Sequence, residues 1–200
     1  MDSQVSASYD DVMRTPGEAA GWYPTHTQLG AGYVTGQPDW GSGLRFTNIA
    51  IPKDATIAAA YLTITAKDSL DATVVNSYIS AEAADNPATF ANDKAAFDTR
   101  FGTHGTRVAW DGIAAWTAET EYTSVGIKDV IQAIVNRTGW VSGNAIVIFW
   151  EDFDKRSTQS TTTLRTGYTY DASTTKAVKL HIEYTVYIPF KSFYPHILAH

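Results

Sequence analysis

The stretch that decides the fold is "GLRFTNIAIPKDATIAAAYLTITA", Gly43 to Ala66. Two runs in it alternate with a period of two, which sends successive side chains to opposite faces of an extended chain. In the first, Leu44 and Phe46, and less cleanly Asn48, oppose Arg45, Thr47 and Ile49. In the second, Ile57, Ala59, Tyr61, Thr63 and Thr65 oppose Ala58, Ala60, Leu62 and Ile64. Pro52 and the "KDAT" after it interrupt the rhythm as a turn.

The same rhythm recurs outward from this pair. "TVVNSYISAEA" (73–83), "TRVAW" (106–110), "STTTLRTGYTY" (160–170) and "KAVKLHIEYTVYI" (176–188) read as strands, the last with Val178, Leu180, Ile182 and Tyr184 on one face. "GNAIVIFWED" (143–152) is almost wholly apolar and predicts a central strand. The first forty residues are punctuated by Pro and Gly. They predict an extended arm leading into a first strand near Trp22–Gln28, with turns at Gly30–Gly32 and Gln37–Gly43. Residues 91–105 read as a long polar loop with room for one helical turn, and 111–122 as a connection. Many short strands separated by turn signals predict an all-β fold. The expected form is an antiparallel β-sandwich of jelly-roll type with one amphipathic helix covering an end. The predicted organisation is an N-terminal arm and first strand (1–42), the sandwich (43–185) and a C-terminal arm (186–200).

That helix is "IKDVIQAIVNRTGW", Ile127 to Trp140. Ile127, Val130, Ile131, Ile134 and Val135 fall at helical spacing and make one apolar stripe. Ser124 is the predicted N-cap, Arg137 complements the C-terminal end, and Gly139 supplies a left-handed stop. Lys128, Gln132 and Asn136 form the wet face, which carries no catalytic grouping. The stripe predicts a plug in the core, not a site.

Composition narrows the function classes. Charged residues are 18%, below the usual quarter, and hydrophobic residues 44%, so the chain packs a core. A net charge of −6 argues against a nucleic-acid backbone as partner, which needs a basic face. There is no Cys, which excludes disulfides and thiolate chemistry. No stretch approaches the ~20 apolar residues of a membrane span, and the N-terminus lacks the pattern of a secretory signal. Beginning at an initiator-like Met1, the chain reads as a complete product made in the cytoplasm; a piece of a secreted parent would read the same way.

The runs "GLRFTNIAIPKDATIAAAYLTITA", "EAADNPATF", "VAW…AWTA" and "DVIQAIVNRTGWVSGNAIVIFWED" together resemble a recurrent bacterial and phage sandwich domain. In that pattern a strand ending "RF" precedes "IP..A.I..AYL". It is similar to the DNRLRE-type domains related to carbohydrate-binding modules, found beside hydrolases and in surface proteins. The likeness spans about Gly43 to Thr185. It implies the sandwich fold more than any ligand, because the matched positions are core and turn residues.

Three kinds of chemistry can be weighed. Glycosidase chemistry needs two carboxylates across a cleft. Glu151, Asp152 and Asp154 cluster in "WEDFDKRS", but neighbouring strand residues point apart, so the expectation is an acidic turn and no catalytic residue. No G-x-S-x-G, H-E-x-x-H or P-loop occurs, and His26, His104, His181, His196 and His200 are scattered. A structural Ca²⁺ would need loop carboxylates such as Asp68, Asp71, Glu82 and Asp85. Their spacing is loose, so turn use is the expectation and no metal or other cofactor is assigned. Among the aromatics, Trp140 and Trp150 read as core. Trp116, in polar surroundings, and Tyr168 and Tyr170, on one strand face, are the candidate glycan or partner surface.

Two functions remain. The favoured expectation is a non-enzymatic structural protein of a larger assembly, such as a phage virion surface component (head decoration, neck or tail), made in the host without a signal peptide. The alternative is a carbohydrate-binding or adhesion module at a bacterial surface or outside the cell. Expected partners are other protein subunits, copies of itself included, with surface glycans as a further possibility, and neither nucleic acid nor membrane insertion. The C-terminal residues Tyr187, Phe190, Phe193, Tyr194, Ile197 and Leu198, broken by two prolines, are the predicted assembly arm.

Overall fold

A computed structural model describes residues 1–15, 21–70, 74–159 and 162–186, with backbone alone at 37–39 and 162. Its strands are β1 (Asp2–Gln4), β2 (Asp11–Arg14), β3 (Trp22–Tyr23), β4 (Gln28–Val34), β5 (Gln37–Phe46), β6 (Thr56–Thr65), β7 (Val75–Ala81), β8 (Val108–Ile113), β9 (Glu121–Thr123), β10 (Ile146–Glu151), β11 (Thr162–Tyr168) and β12 (Lys179–Thr185). Two helices accompany them, α1 (Lys94–Phe101) and α2 (Lys128–Val135).

All strand pairs are antiparallel and fall into two sheets. One has the order β1-β12-β6-β9; the other has β11-β4-β5-β10-β7-β8, with β2 and β3 paired beside β5. Taken in chain order, β1, β5, β6, β7, β8, β9, β10 and β12 give first–eighth–third–sixth in the smaller sheet and second–seventh–fourth–fifth in the larger. That is the winding of a jelly roll. Alternation decides which side chains enter the core. Leu44 and Phe46 of β5, Ala60, Leu62 and Ile64 of β6, Ile148 and Trp150 of β10, and Leu180 and Ile182 of β12 are all buried between the sheets. β10 is buried along its whole length because the larger sheet is covered on both faces. Val147 and Phe149 turn outward, into a second cluster with Val12, Phe90 and Phe97.

α2 is the plug that its stripe predicts. Ile127, Val130, Ile131, Ile134 and Val135 are at most 3% exposed, and the helix packs on β6 of one sheet and β7 of the other. Its ends differ from expectation. Ile127 is the N-cap without a side-chain bond, because the Ser124 hydroxyl is used in the sheet, accepting from Leu62 N at 2.9 Å. The C-cap is Asn136 in a right-handed conformation, and Gly139 has no positive φ. The single predicted helix becomes two, since the expected polar loop contains α1. The expected connection at 111–122 also yields the end of β8 and the start of β9.

The N-terminal arm is likewise corrected. β1 pairs with β12 in register Asp2↔His181, Ser3↔Leu180 and Gln4↔Lys179, and Val5 is buried, so this segment is part of the sandwich. Its side chains are polar because its backbone, covering the edge of β12, is what the fold uses. The turns expected at Gly30–Gly32 and Gln37–Gly43 are strand instead, the reversal falling at Thr35 and Gly36 (φ 78°). Gly41 and Gly43 serve close approach. A Cβ on Gly43 would stand 2.5 Å from Cζ of Phe90, and one on Gly41 2.5 Å from Cζ of Phe153. The glycines are what let the outer aromatic layer lie flat on the sheet.

Candidate functional site

The three residues of the expected aromatic surface are not brought together. Trp116 is 4% exposed, a correction to its reading as a surface ring. It is bridged to Leu70, stacks on Tyr122 (centroids 4.7 Å apart, planes at 6°) and lies 5.9 Å from Trp150. A ring covered on its faces offers no stacking platform. Tyr168 is partly exposed, but Lys67 and Lys176 place their ammonium groups 5.0 and 4.9 Å from its centroid. Its hydroxyl donates to Glu119, which also receives Lys176 and lifts the phenol above its ordinary value. β11 ends at Tyr168, so Tyr170 does not continue that face. Tyr170 packs against the inter-sheet core, and its amide donates to Asp11 Oδ2 at 2.7 Å. Trp140 and Trp150 are core, with indole N–H bonds to Ile51 O and Ser77 Oγ.

The carboxylates of "WEDFDKRS" form a lock. Arg107 Nη2 donates to Glu151 Oε1 at 2.7 Å and its Nη1 to Asp154 Oδ2 at 2.6 Å. Glu151 Oε2 accepts from Phe153 N, so both of its oxygens are engaged. Burial pushes Glu151 up, opposed by the Phe153 amide and then by Arg107. Asp152 turns away and accepts from the amides of Arg156 and Ser157. The guanidinium carbons of Arg107 and Arg156 lie 3.9 and 4.0 Å from the centroid of Tyr78. Arg156 is anchored by Ser77 O and Asp111. Glu151 and Asp154 therefore converge, which alternation along the strand did not foretell, but they converge on one cation. Such an arrangement joins β7, β8, β10 and the turn after it.

The calcium candidates are also occupied elsewhere. Glu82 pairs with Arg100, Asp85 with Arg137, and Asp68 Oδ2 accepts from Thr166 Oγ1; Asp71 lies outside the described residues. Among the described residues no group of three or more His, Asp or Glu is placed to hold a metal. Nor is any described helix long and apolar enough to cross a membrane. The arm residues Tyr187, Phe190, Phe193, Tyr194, Ile197 and Leu198 lie outside the described residues.

The structure also contains a cleft of about 270 Å³ between α1 and the segment after β7, lined by Trp22, Glu82, Thr89, Phe90, Ala96 and Arg100 among others. Glu82 follows β7 directly and is fixed by a bridge to His104 and by its amide to Val147 O. Arg100 stands in the last turn of α1. Its Nε and Nη2 donate to Glu82 Oε2 at 2.9 and 2.7 Å, and its Nη1 to Thr89 O at 3.3 Å. Its guanidinium carbon lies 4.3 Å from the Phe90 centroid. β3 carries Trp22, whose ring meets Phe97 at 5.2 Å. The sequence hid this site because its members are scattered from 22 to 100, and Glu82 and Arg100 read separately as a turn acid and a loop cation.

No protein-family model and no curated protein matches the chain.

Proposed function

We propose that the chain is a non-enzymatic structural protein of a larger assembly, of the kind that forms a phage virion surface, with the jelly roll as its body and residues 186–200 as the segment that joins it to other subunits. The observation that carries this reading is how completely the body uses its own apolar surface. The space between the sheets is filled from β5, β6, β10, β12 and α2, and the outer face of the larger sheet from Phe90, Phe97 and Phe149. Among the described residues the large apolar side chains left exposed are Val74, Val141 and Val186. β12 ends at Thr185, and the sequence then adds Tyr187, Ile188, Phe190, Phe193, Tyr194, Ile197 and Leu198 to a body that already has a core. So apolar a segment is stable when covered, and a neighbouring subunit supplies a cover.

The test is deletion of residues 187–200, read by light scattering on a sizing column and by thermal melting. The shortened chain is expected to fold with an unchanged melting temperature and to stay monomeric while the full chain associates. A shortened chain that associates as the full one does, or that fails to fold, overturns the reading.

A further inference from the structure

We propose that the cleft beside the end of β12, lined by Pro52, Lys53, Asp54, Ala55 and Val186, is the seat for the C-terminal segment of a second copy of this chain. The inference rests on the assembly role proposed above, and it names the partner and the surface that receives it.

The cleft, of about 270 Å³, has walls that are braced before any partner arrives. Residues 52–55 are the turn before β6, and α2 holds them. The Ala55 amide donates to Pro52 O and the Asp54 amide to Val135 O, both at 3.2 Å. Lys53 Nζ donates to Asn136 O and Arg137 O at 3.3 and 3.0 Å. Gln132 donates to Ala55 O at 2.9 Å and accepts from the Ile57 amide at 2.8 Å. The facing wall is the end of β12, where Thr185 pairs with Thr56 and the Tyr184 hydroxyl donates to Ala50 O at 3.2 Å. A seat fixed in this way loses little freedom when it is filled.

What the walls lack is a cover. Pro52, Lys53 and Asp54 are exposed, and Val186 is 44% exposed. The Pro52 ring, the Val186 side chain and the stem of Lys53 offer apolar contact. The Lys53 ammonium is already divided between the α2 carbonyls and Asp54, whose side chain is 67% exposed, so the open charge is negative. Residues 187–200, "YIPFKSFYPHILAH", complement this surface: aromatic and aliphatic throughout, with Lys191 and two His and no Asp or Glu. The place of Val186 selects a second copy as the donor. It is a wall of the cleft and also the residue after which the segment begins. To enter its own cleft the segment must reverse within a few residues, where Pro189 locks φ and disfavours helical geometry at the residue before it. Across a two-fold axis beside Val186 it runs straight into the partner's cleft, and the partner's segment returns the exchange. Fourteen residues reach at most about 50 Å, ample for that crossing. Phe190, the first aromatic past Pro189, is the residue expected to enter.

The chain has no Cys, so introduced thiols report only on themselves. The full chain carrying Asp54→Cys and Phe190→Cys is prepared with ordinary and with heavy nitrogen, mixed, allowed to exchange and oxidised. A disulfide-linked dimer is expected, and mass spectrometry of its 54–190 peptides should find hybrids of one light and one heavy partner. Val186→Arg, which sets a cation on the wall, should weaken association of the otherwise native chain at least tenfold and leave a cooperative melting transition. Linked peptides without hybrids would mean that each segment fills its own cleft. That result, absence of the link, or association indifferent to Val186→Arg would overturn the proposal. A shortened chain that stays monomeric while no link forms in the full one removes this seat and leaves the assembly role. A shortened chain that still associates removes the role itself.

Discussion

α2 buries Val130, Ile131, Ile134 and Val135 within eight residues and sits against both sheets, whereas α1, equally long, buries Phe97 alone and lies on the outer face of one sheet. The first helix carries its reason for packing in its own sequence. The second is held by what surrounds it: the rings of Phe90, Phe149 and Phe153, the Asp93 cap, and an ion-pair chain from Arg14 through Asp98 to Lys94. An internal plug completes the core; an outer cover is added to a core that already exists. The two layers should therefore fail differently.

The largest expected effect is Ile131→Asp. The site is 0% exposed between the sheets, where an unpaired carboxylate costs several kcal/mol, a large share of a domain's stability. No folded protein should be recovered. A soluble variant melting like the native chain would show that α2 is not part of the core.

Next in size is a pH effect at Asp11, on β2 beside the outer layer. Its side chain is 0% exposed and Oδ1 has no partner among the described residues. Burial, with Asp10 and Asp171 nearby, pushes the carboxyl up to about 7 despite the Tyr170 amide, from 3.8. Between those values the folded chain holds a proton that the unfolded chain releases. The contribution of Asp11 to stability should thus be greatest below about pH 4, fall between pH 4 and 7, and level off above. At 1.36 kcal/mol per pH unit the fall is bounded at roughly 4 kcal/mol. Asp11→Asn, neutral throughout, should flatten the profile and gain stability at pH 8. Denaturant midpoints at pH 5 and pH 8 read this directly; an Asn variant with the native slope would sink it.

Phe97→Ala comes third, at about 3 kcal/mol for removal of a buried ring. Unlike the α2 variant it should leave a cooperative sandwich with α1 loosened. Hydrogen exchange should rise sharply in residues 94–101 and far less in β10. Equal loss of protection in both would mean that the cover and the core are one unit.

What the sequence disclosed follows the same division. Strands whose faces alternate cleanly, β5, β6 and β12, the continuous apolar run of β10, and the stripe of α2 were legible because each signal lies within a dozen residues. Structure held by partners far along the chain was not. β1 is polar and reads as an arm, yet its backbone edges β12. Phe97 and Phe101 fall in the stretch expected as a polar loop, because the surface they cover comes from β10. The chain neighbours of Trp116 read as polar, whereas Leu70, Tyr122 and Trp150 decide its burial. The cleft pairs Glu82 with Arg100 across α1, and local pattern does not report such a pair.

The smallest expected effect separates the helices at their N-termini. Asp93 caps α1, its Oδ1 accepting from the amides of Ala95 at 2.8 Å and Ala96 at 3.3 Å. These are two of the four amides that a helix start leaves without a partner inside the helix. Asp93→Ala removes both bonds and should cost about 1 kcal/mol. α2 has no such cap, and the residue that sequence placed there, Ser124, spends its hydroxyl on Leu62 N and Val125 O. Ser124→Ala should cost a similar amount through the sheet, because it strands the buried Leu62 amide. The two variants should then look alike in a melting curve and unlike in hydrogen exchange. Asp93→Ala should speed the first turn of α1 and spare β6, whereas Ser124→Ala should speed β6 at Leu62 without singling out the first turn of α2. If Ser124→Ala instead frays α2 selectively, Ser124 is a helix cap after all, and the two helices start by the same device.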